Sequence, residues 1–273
     1  MYLLIDWGNS RLKYLLVERL SKQAIQSEKT HIQFANSVED LLSQLQNKLH
    51  KMRIDKVLVA SVKSEQHNLL LRDSLNDLKL SCSFAQPKTS DDGITLAYKD
   101  INKMGVDRWL AMLGAYVPKQ SVGIIDLGTA ITVDLLSGNG RHLGGHIIPG
   151  QQMLSKSLLT TDKIEPSATD SESSRMSVLQ NGQEVQWSDR FNLKLGDSTQ
   201  SCVNFGVEHL IFGYLTEMVT NAQHEFGITH WEITGGDGAN WYEHLTRIKN
   251  RQFSPTFVLS PKLIFQGLSK LHQ

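Results

Sequence analysis

Short apolar runs alternate with amphipathic segments along the chain, and the order of these segments repeats past its midpoint. Tyr2-Leu-Leu-Ile5 predicts a buried strand, and Arg11–Val17 predicts the strand that returns beside it. Thr30–Phe34 predicts a third strand. Ser37-Val-Glu-Asp40 has the form of a capping box, and Val38, Leu41, Leu42, Leu45 and Leu49 follow at helical spacing, so a helix is predicted over Val38–His50. Val57–Val62 is a short β-branched run and reads as a buried parallel strand. Glu65–Leu78 is helical, with Leu71, Leu75 and Leu78 on one face, and Ser81–Ala85 is a fifth strand. The first half thus runs β-β-β-α-β-α-β.

Pro87–Gly93 is polar and predicts a loop, while Thr95–Tyr98 matches neither period. Gly105-Val-Asp107-Arg108-Trp109 leads into a helix carried by Leu110, Met112, Leu113 and Tyr116 and ending near Pro118. Strands follow at 122–126 and 131–136, with a turn at Gly138-Asn-Gly140 and a return over His142–Ile148. Pro149 stands where a helix starts, and Met153, Leu154 and Leu158 fit that helix. From Thr160 to Asp189 the chain is rich in Ser, Thr, Asp and Glu and predicts a long surface loop or a partly disordered insert. A long helix is expected from about Ser201 to His224, then a strand over Ile228–Thr234 and a turn at Gly235–Gly238. A helix over Trp241–Lys249, a strand over Phe257–Leu259 and a helix over Lys262–Leu271 close the chain. Two α/β halves are expected, 1–117 and 118–273, with a cleft between them.

Each half carries the same device at its first strand-to-strand junction. Asp6-Trp7-Gly8-Asn9-Ser10 breaks the first apolar run, and Asp126-Leu-Gly128-Thr129-Ala130 breaks the run ending in Ile124 and Ile125. One Asp-x-Gly is weak evidence. Two, each between a buried strand and a returning strand, point to an internal duplication. Backbone N–H groups in such a turn can cradle a phosphate. Glycine adds freedom at positive φ and lets another group approach closely. Asp126 is placed to hold a cation beside that phosphate. Two ordinary hairpin turns are the alternative, but that reading does not account for the shared small polar residues.

Composition narrows the classes. The chain has 273 residues, enough for one large or two medium domains. Lys plus Arg and Asp plus Glu are both 28, which leaves no electrostatic footprint for nucleic acid or an acidic membrane. No apolar run approaches the ~18–20 residues of a spanning helix. No basic region precedes the first apolar run, so a cleaved signal peptide is not expected. Cys82 and Cys202 form no disulfide framework, and a cytoplasmic location is expected. His142 and His146 stand four apart on one predicted strand, too few ligands for zinc. Neither a Walker A sequence nor a strand-led Gly-x-Gly-x-x-Gly is present, which disfavours P-loop and Rossmann sites.

The duplicated β-β-β-α-β-α-β plan with an Asp-x-Gly turn in each half resembles the acetate and sugar kinase, Hsp70 and actin superfamily. Four signatures narrow the resemblance: Asp6-x-Gly8-Asn9-Ser10-x-x-Lys13, Gly105-x-Asp107-Arg108-Trp109, Asp126-x-Gly128-Thr129-Ala130-x-Thr132-x-Asp134, and Gly144-Gly145-x-Ile147-x-Pro149-Gly150. Together they resemble type III pantothenate kinase, the Bvg accessory factor family. The likeness runs from Met1 to about Leu268, and the 166–190 segment does not align. Ser10 stands where the family often has Thr. The resemblance implies ATP-dependent phosphorylation of the pantothenate 4′-hydroxyl, the first step of coenzyme A synthesis. It also implies Mg²⁺ with the nucleotide, a monovalent cation (K⁺ or NH₄⁺) and a homodimer.

What the resemblance implies for individual residues is specific. Asp6, Trp7, Gly8, Asn9, Ser10, Arg11, Leu12 and Lys13 would hold the ATP phosphates from one side and Thr129 from the other, with the monovalent cation on Asp126. Asp107 would be the general base, and Tyr98, Gly105, Val106, Asp107 and Arg108 would line the pantothenate pocket. Gly196-Asp-Ser-Thr199 resembles the family's Gly-Lys-Asn-Thr, which carries Thr199 over as a pantothenate contact. Asp107 as a plain helix cap is the competing reading. Thr234-Gly-Gly-Asp-Gly238 resembles the superfamily's adenine-side turn, although Gly–Gly turns are common. The alternatives in function are a kinase of another small-molecule hydroxyl acceptor and a non-catalytic regulator of the same fold.

Overall fold

A computed structural model describes residues 1–49, 52–159, 194–248 and 254–271. The Ser/Thr-rich segment expected over 160–189, and with it the 166–190 segment, lies outside the described residues. Strands β1 (Tyr2–Trp7), β2 (Leu12–Val17), β3 (Gln33–Ala35), β4 (Lys56–Ser61) and β5 (Cys82–Phe84) form a sheet in the order β3-β2-β1-β4-β5. β1, β2 and β3 are antiparallel neighbours, and β4 and β5 continue parallel to β1. Helices α1 (Lys22–Gln26), α2 (Val38–Leu49) and α3 (Glu65–Asp77) fall between these strands. A small hairpin, β6 (Ser90–Asp91) and β7 (Ile94–Thr95), and a 3-10 turn at Ile101–Lys103 lead to α4 (Val106–Ala115).

The second sheet repeats the first. Strands β8 (Val122–Leu127), β9 (Ala130–Leu136), β10 (His142–Pro149), β11 (His230–Thr234) and β12 (Thr256–Leu259) lie in the order β10-β9-β8-β11-β12, the same third-second-first-fourth-fifth arrangement. Its helices are α5 (Gln151–Leu159), α6 (Thr199–Phe226) and α7 (Gly238–Leu245), and α8 (Leu263–Lys270) ends the chain.

Several expectations shift locally. The predicted loop over Pro87–Gly93 contains β6 and the turn of the β6–β7 hairpin, whose residues Asp92 and Gly93 have φ of 45° and 80°, a geometry that local sequence tolerates at Asp and Gly. Pro149 ends β10 instead of opening α5. β10 is an edge strand, so a residue without an N–H costs the sheet nothing there. α6 starts earlier than expected because Ser198 and Ser201 form a reciprocal capping box, and it ends at Gly227 in the left-handed conformation. α7 starts at Gly238 and ends at Leu245, and Lys249 lies outside the described residues. The short helix α1, capped by the Ser21 hydroxyl, was not signalled by periodicity.

The described chain forms two compact units. One takes in 1–120, 134–144 and 262–273, the other 121–133 and 145–261. In the first, Leu3, Ile5, Trp7, Leu12, Tyr14, Val57 and Val59 share a core with Val38, Leu41 and Leu45 of α2 and Leu71 and Leu75 of α3. α4 and α8 pack on the first sheet through β1 and β4. α4 and α8 also approach each other through two glycines: a Cβ at Gly267 would lie 2.0 Å from the Leu110 carbonyl oxygen, and one at Gly114 2.3 Å from that of Leu263. That contact is why residues 262–273 group with the first unit, although they follow the second sheet in sequence. Alternation along β1 sets Leu4 and Asp6 opposite to Leu3, Ile5 and Trp7, on the face that α4 and α8 cover.

Candidate active site

The first turn is built by β1 and β2. Asp6 is the penultimate residue of β1 and pairs in register with Lys13 of β2, whose Nζ lies 3.7 Å from Asp6 Oδ2. The Gly8 N–H donates to the Arg11 carbonyl at 3.1 Å and closes the turn. Asn9, Ser10 and Arg11 are exposed. Trp7 and Leu12 are core side chains, so only their main chain is presented at the turn. Lys63, two residues past the end of β4, donates through Nζ to the Asn9 carbonyl at 2.8 Å and adds a cation to this turn.

Neither Gly8 nor Gly128 has the positive φ that sequence reasoning allowed for. A Cβ at Gly8 would come no nearer than 3.6 Å to any neighbouring atom, an ordinary contact. The protein's own packing therefore does not require glycine there.

The second turn repeats this plan in a shorter form. Asp126 is the penultimate residue of β8 and pairs with Thr234 of β11, and the Gly128 N–H donates to the Ala130 carbonyl at 3.0 Å. Two neighbouring segments grip it. Gly150 N–H donates to the Thr129 carbonyl and Asp237 N–H to the Leu127 carbonyl, both at 2.9 Å. Gly235 has φ of 94°, and a Cβ on it would lie 2.5 Å from Asp126 Oδ1. A Cβ on Gly150 would lie 2.3 Å from the Gly128 carbonyl oxygen. Gly150 and Gly235 are thus structural partners of the second turn. The Gly–Gly pair at 235 was visible in the sequence but too common to single out. The Asp126 carboxylate and the carbonyls of this turn are hard oxygen donors, which suit K⁺ or NH₄⁺. Among the described residues, no group of three His, Cys, Asp or Glu forms a metal cluster.

Charged and polar groups gather at the start of α4. Gly105 is the N-cap, Val106 is buried, and Asp107 stands in the first helical turn, half-buried. The Asp107 carboxylate accepts the Arg108 backbone N–H at 2.8 Å, so it does satisfy one orphan helix donor, though from inside the helix. Burial raises its pKa above the ordinary carboxylate value, an effect that its contacts with Arg108 only partly offset. Burial likewise raises Asp6 to about 6. Lys13 pulls the other way, and the charge of Asp107 adds to the rise. The two carboxylates therefore feel each other. A Cβ on Gly105 would lie 2.6 Å from Asp107 Oδ1, so any side chain there would displace the carboxylate.

Arg108 is buried and its guanidinium makes three hydrogen bonds. Nε and Nη2 donate to Asp134 Oδ2 and Oδ1 at 2.9 and 2.5 Å, and Nη1 donates to the Tyr98 hydroxyl at 2.6 Å. Burial alone would lower its pKa, but the bonds to Asp134 and that carboxylate's charge override it and hold the pKa above its ordinary value. Sequence reasoning quoted Asp134 within a motif without giving it a role. The available signal was a carboxylate on an apolar strand, which needs a buried partner.

Within the first unit the structure brings Asp6, Lys13 and Asp107 together, and Tyr98 with Arg108. Asp126, Thr129 and Thr199 belong to the second unit. Thr199 is exposed as the first residue of α6. His142 and His146 do not share a ligand. His142 bonds Asp134 Oδ1 at 3.1 Å, whereas exposed His146 bonds the Tyr214 hydroxyl at 3.0 Å.

A protein of Marinobacter nauticus named type III pantothenate kinase is 32% identical over 247 residues, covering 87% of each chain. A solved structure from Sinorhizobium meliloti, described as "a putative 2-dehydro-3-deoxygalactonokinase protein", superposes with a TM-score of 0.56 at 10% identity, covering 98% of this chain and 97% of that one. Another, from Campylobacter jejuni, described as a "conserved putative Baf family transcriptional activator", gives a TM-score of 0.52 at 19% identity, covering 98% and 96%. These two likenesses bear on the fold alone. The model of the type III pantothenate kinase family matches residues 2–221. With both Asp-x-Gly turns and the Gly105–Trp109 helix start inside that match, the chain belongs to the type III pantothenate kinase family.

Proposed function

We infer that this protein transfers the γ-phosphoryl group of ATP to the 4′-hydroxyl of pantothenate, the first step of coenzyme A biosynthesis. The observation that carries this reading is the family match over 2–221, which spans both Asp-x-Gly turns and Asp107. The pantothenate oxygen forms a bond to the γ-phosphorus, the bond to the ADP oxygen breaks, and the hydroxyl proton passes to Asp107 and then to solvent. Such a transition state is loose, so positioning and electrostatics carry most of the rate. Burial raises the Asp107 pKa toward the working pH, which suits a general base. Lys13, the main chain of 6–13 and Thr129 are the phosphate contacts of this reading. Tyr98, Gly105, Val106 and Arg108 line the acceptor pocket, with Thr199 as a further contact.

Mg²⁺ neutralises phosphate charge when bound with the nucleotide, and the Asp6 carboxylate is a fitting donor. Asp126 with the neighbouring carbonyls would hold the monovalent cation. The protein acts as a homodimer through the second unit, where Ile147, Met153, Leu158 and Leu210 leave apolar surface exposed on β10, α5 and α6. Sedimentation of an active monomer at micromolar protein refutes that assembly. A cytoplasmic site of action fits the free Cys82 and Cys202, and recovery of the protein from a secreted fraction refutes it.

The deciding experiment offers ATP and a panel of hydroxyl acceptors, followed by kinetics of Asp107→Asn. Phosphate incorporation is expected with pantothenate. For Asp107→Asn, kcat is expected to fall by ~10²–10⁴-fold with the KM for ATP nearly unchanged. No turnover of pantothenate overturns the substrate, and wild-type turnover by the variant overturns the base.

A further inference from the structure

The Asp134 carboxylate is buried and takes three bonds, two from Arg108 and one from His142. The His142 ring is itself buried, and its Nδ1 faces the Ala97 backbone N–H at 3.4 Å. A backbone N–H can only donate, so Nδ1 is the acceptor and Nε2 carries the proton that goes to Asp134. The same ring lies nearly parallel to that of Tyr98, 11° between planes and 6.3 Å between centroids. Tyr98 in turn accepts from Arg108 Nη1, which leaves the phenol proton for another acceptor. His142 thus touches both groups that flank the Arg108 guanidinium, Asp134 on one side and Tyr98 on the other. Gly144, two residues further along β10, has φ of 120°, and His146 beyond it is exposed.

We propose that His142 is a positioning residue for the phosphoryl acceptor. It orients Asp134 and Tyr98, and through them the guanidinium edge and phenol that meet the acceptor's polar groups. The inference rests on the reading that Tyr98 and Arg108 face pantothenate. Asp107 meets this chain of contacts only at the Arg108 backbone N–H and through the Asp134 charge, and the nucleotide turn is not part of it, so the effect falls chiefly on acceptor binding and spares the nucleotide.

The test compares three variants. His142→Phe keeps a ring against Tyr98 but has no donor. His142→Asn is too short to reach Asp134. His142→Gln restores an N–H near the position of Nε2. A hydrogen bond to a charged group is worth about tenfold or more in binding. His142→Phe and His142→Asn are expected to raise the KM for pantothenate about tenfold, with the KM for ATP and kcat within about threefold. His142→Gln is expected to recover most of the loss. In combination with Arg108→Ala, His142→Phe should add almost nothing, because both act through one guanidinium. If Phe does not fold, Asn carries the same expectation.

An unchanged pantothenate KM in a folded variant overturns the proposal. So does a joint rise of both KM values with a fall in melting temperature, which marks a purely structural role, or full additivity with Arg108→Ala. A wild-type protein that is silent on pantothenate refutes the acceptor reading itself, separately from any difference among the variants.

Discussion

Asp6 is predicted to hold the free protein below its attainable stability. Its folded-state pKa is about 6 against an ordinary value of 3.8. Between roughly pH 4 and pH 6, the folded state therefore retains a proton that the unfolded chain has lost. The stabilisation from the protonated form is fully present below pH ~4 and disappears as the pH rises through ~6. The gap corresponds to about 3 kcal/mol, with the Lys13 attraction already included. Asp6→Asn cannot ionise and escapes that cost. Urea unfolding without nucleotide should show the variant more stable than wild type by up to about 3 kcal/mol at pH 7.5, and near parity at pH 4. In thermal unfolding that margin amounts to roughly 5–10 °C. The same variant should lose most activity, because the carboxylate beside the phosphate turn is gone. A stability difference that stays constant from pH 4 to pH 7.5, or a variant less stable than wild type at pH 7.5, refutes the reasoning.

The first turn yields a second contrast. Because a Cβ at Gly8 meets nothing nearer than 3.6 Å, Gly8→Ala should melt with wild type yet raise the KM for ATP about tenfold or more by crowding the phosphate; a normal KM removes the cradle. Gly235→Ala should do the opposite at the second turn. Its φ of 94° and the 2.5 Å approach to Asp126 Oδ1 predict a loss of about 1–3 kcal/mol in unfolding free energy, and a melting curve like wild type's refutes that. Activity should require K⁺ or NH₄⁺, and full turnover in Na⁺ alone removes the role given to Asp126.

Strand and helix order was largely legible because the signals are local. Period-2 and buried apolar runs mark strands, period-3.6 stripes mark α2 and α3, and capping residues mark helix starts. The duplication was legible for the same reason: Asp6 and Asp126 each end an apolar run, and in the structure each is the penultimate residue of its sheet's first strand. Tertiary structure alone decided which distant groups meet. Asp134 sits on an apolar strand that requires a buried cation, but its pairing with Arg108 and His142 follows from which elements lie side by side. The return of α8 onto α4 follows from the fit of Gly114 and Gly267 against opposing carbonyls, which no periodicity records. The glycines of the second turn divide likewise: Gly128 was conspicuous in the motif, while Gly235, more than a hundred residues later, carries the positive φ and the close contact. A turn's chemistry is written in adjacent residues, whereas a buried charge's partner depends on the packing of the whole chain, which is where sequence pattern stops informing.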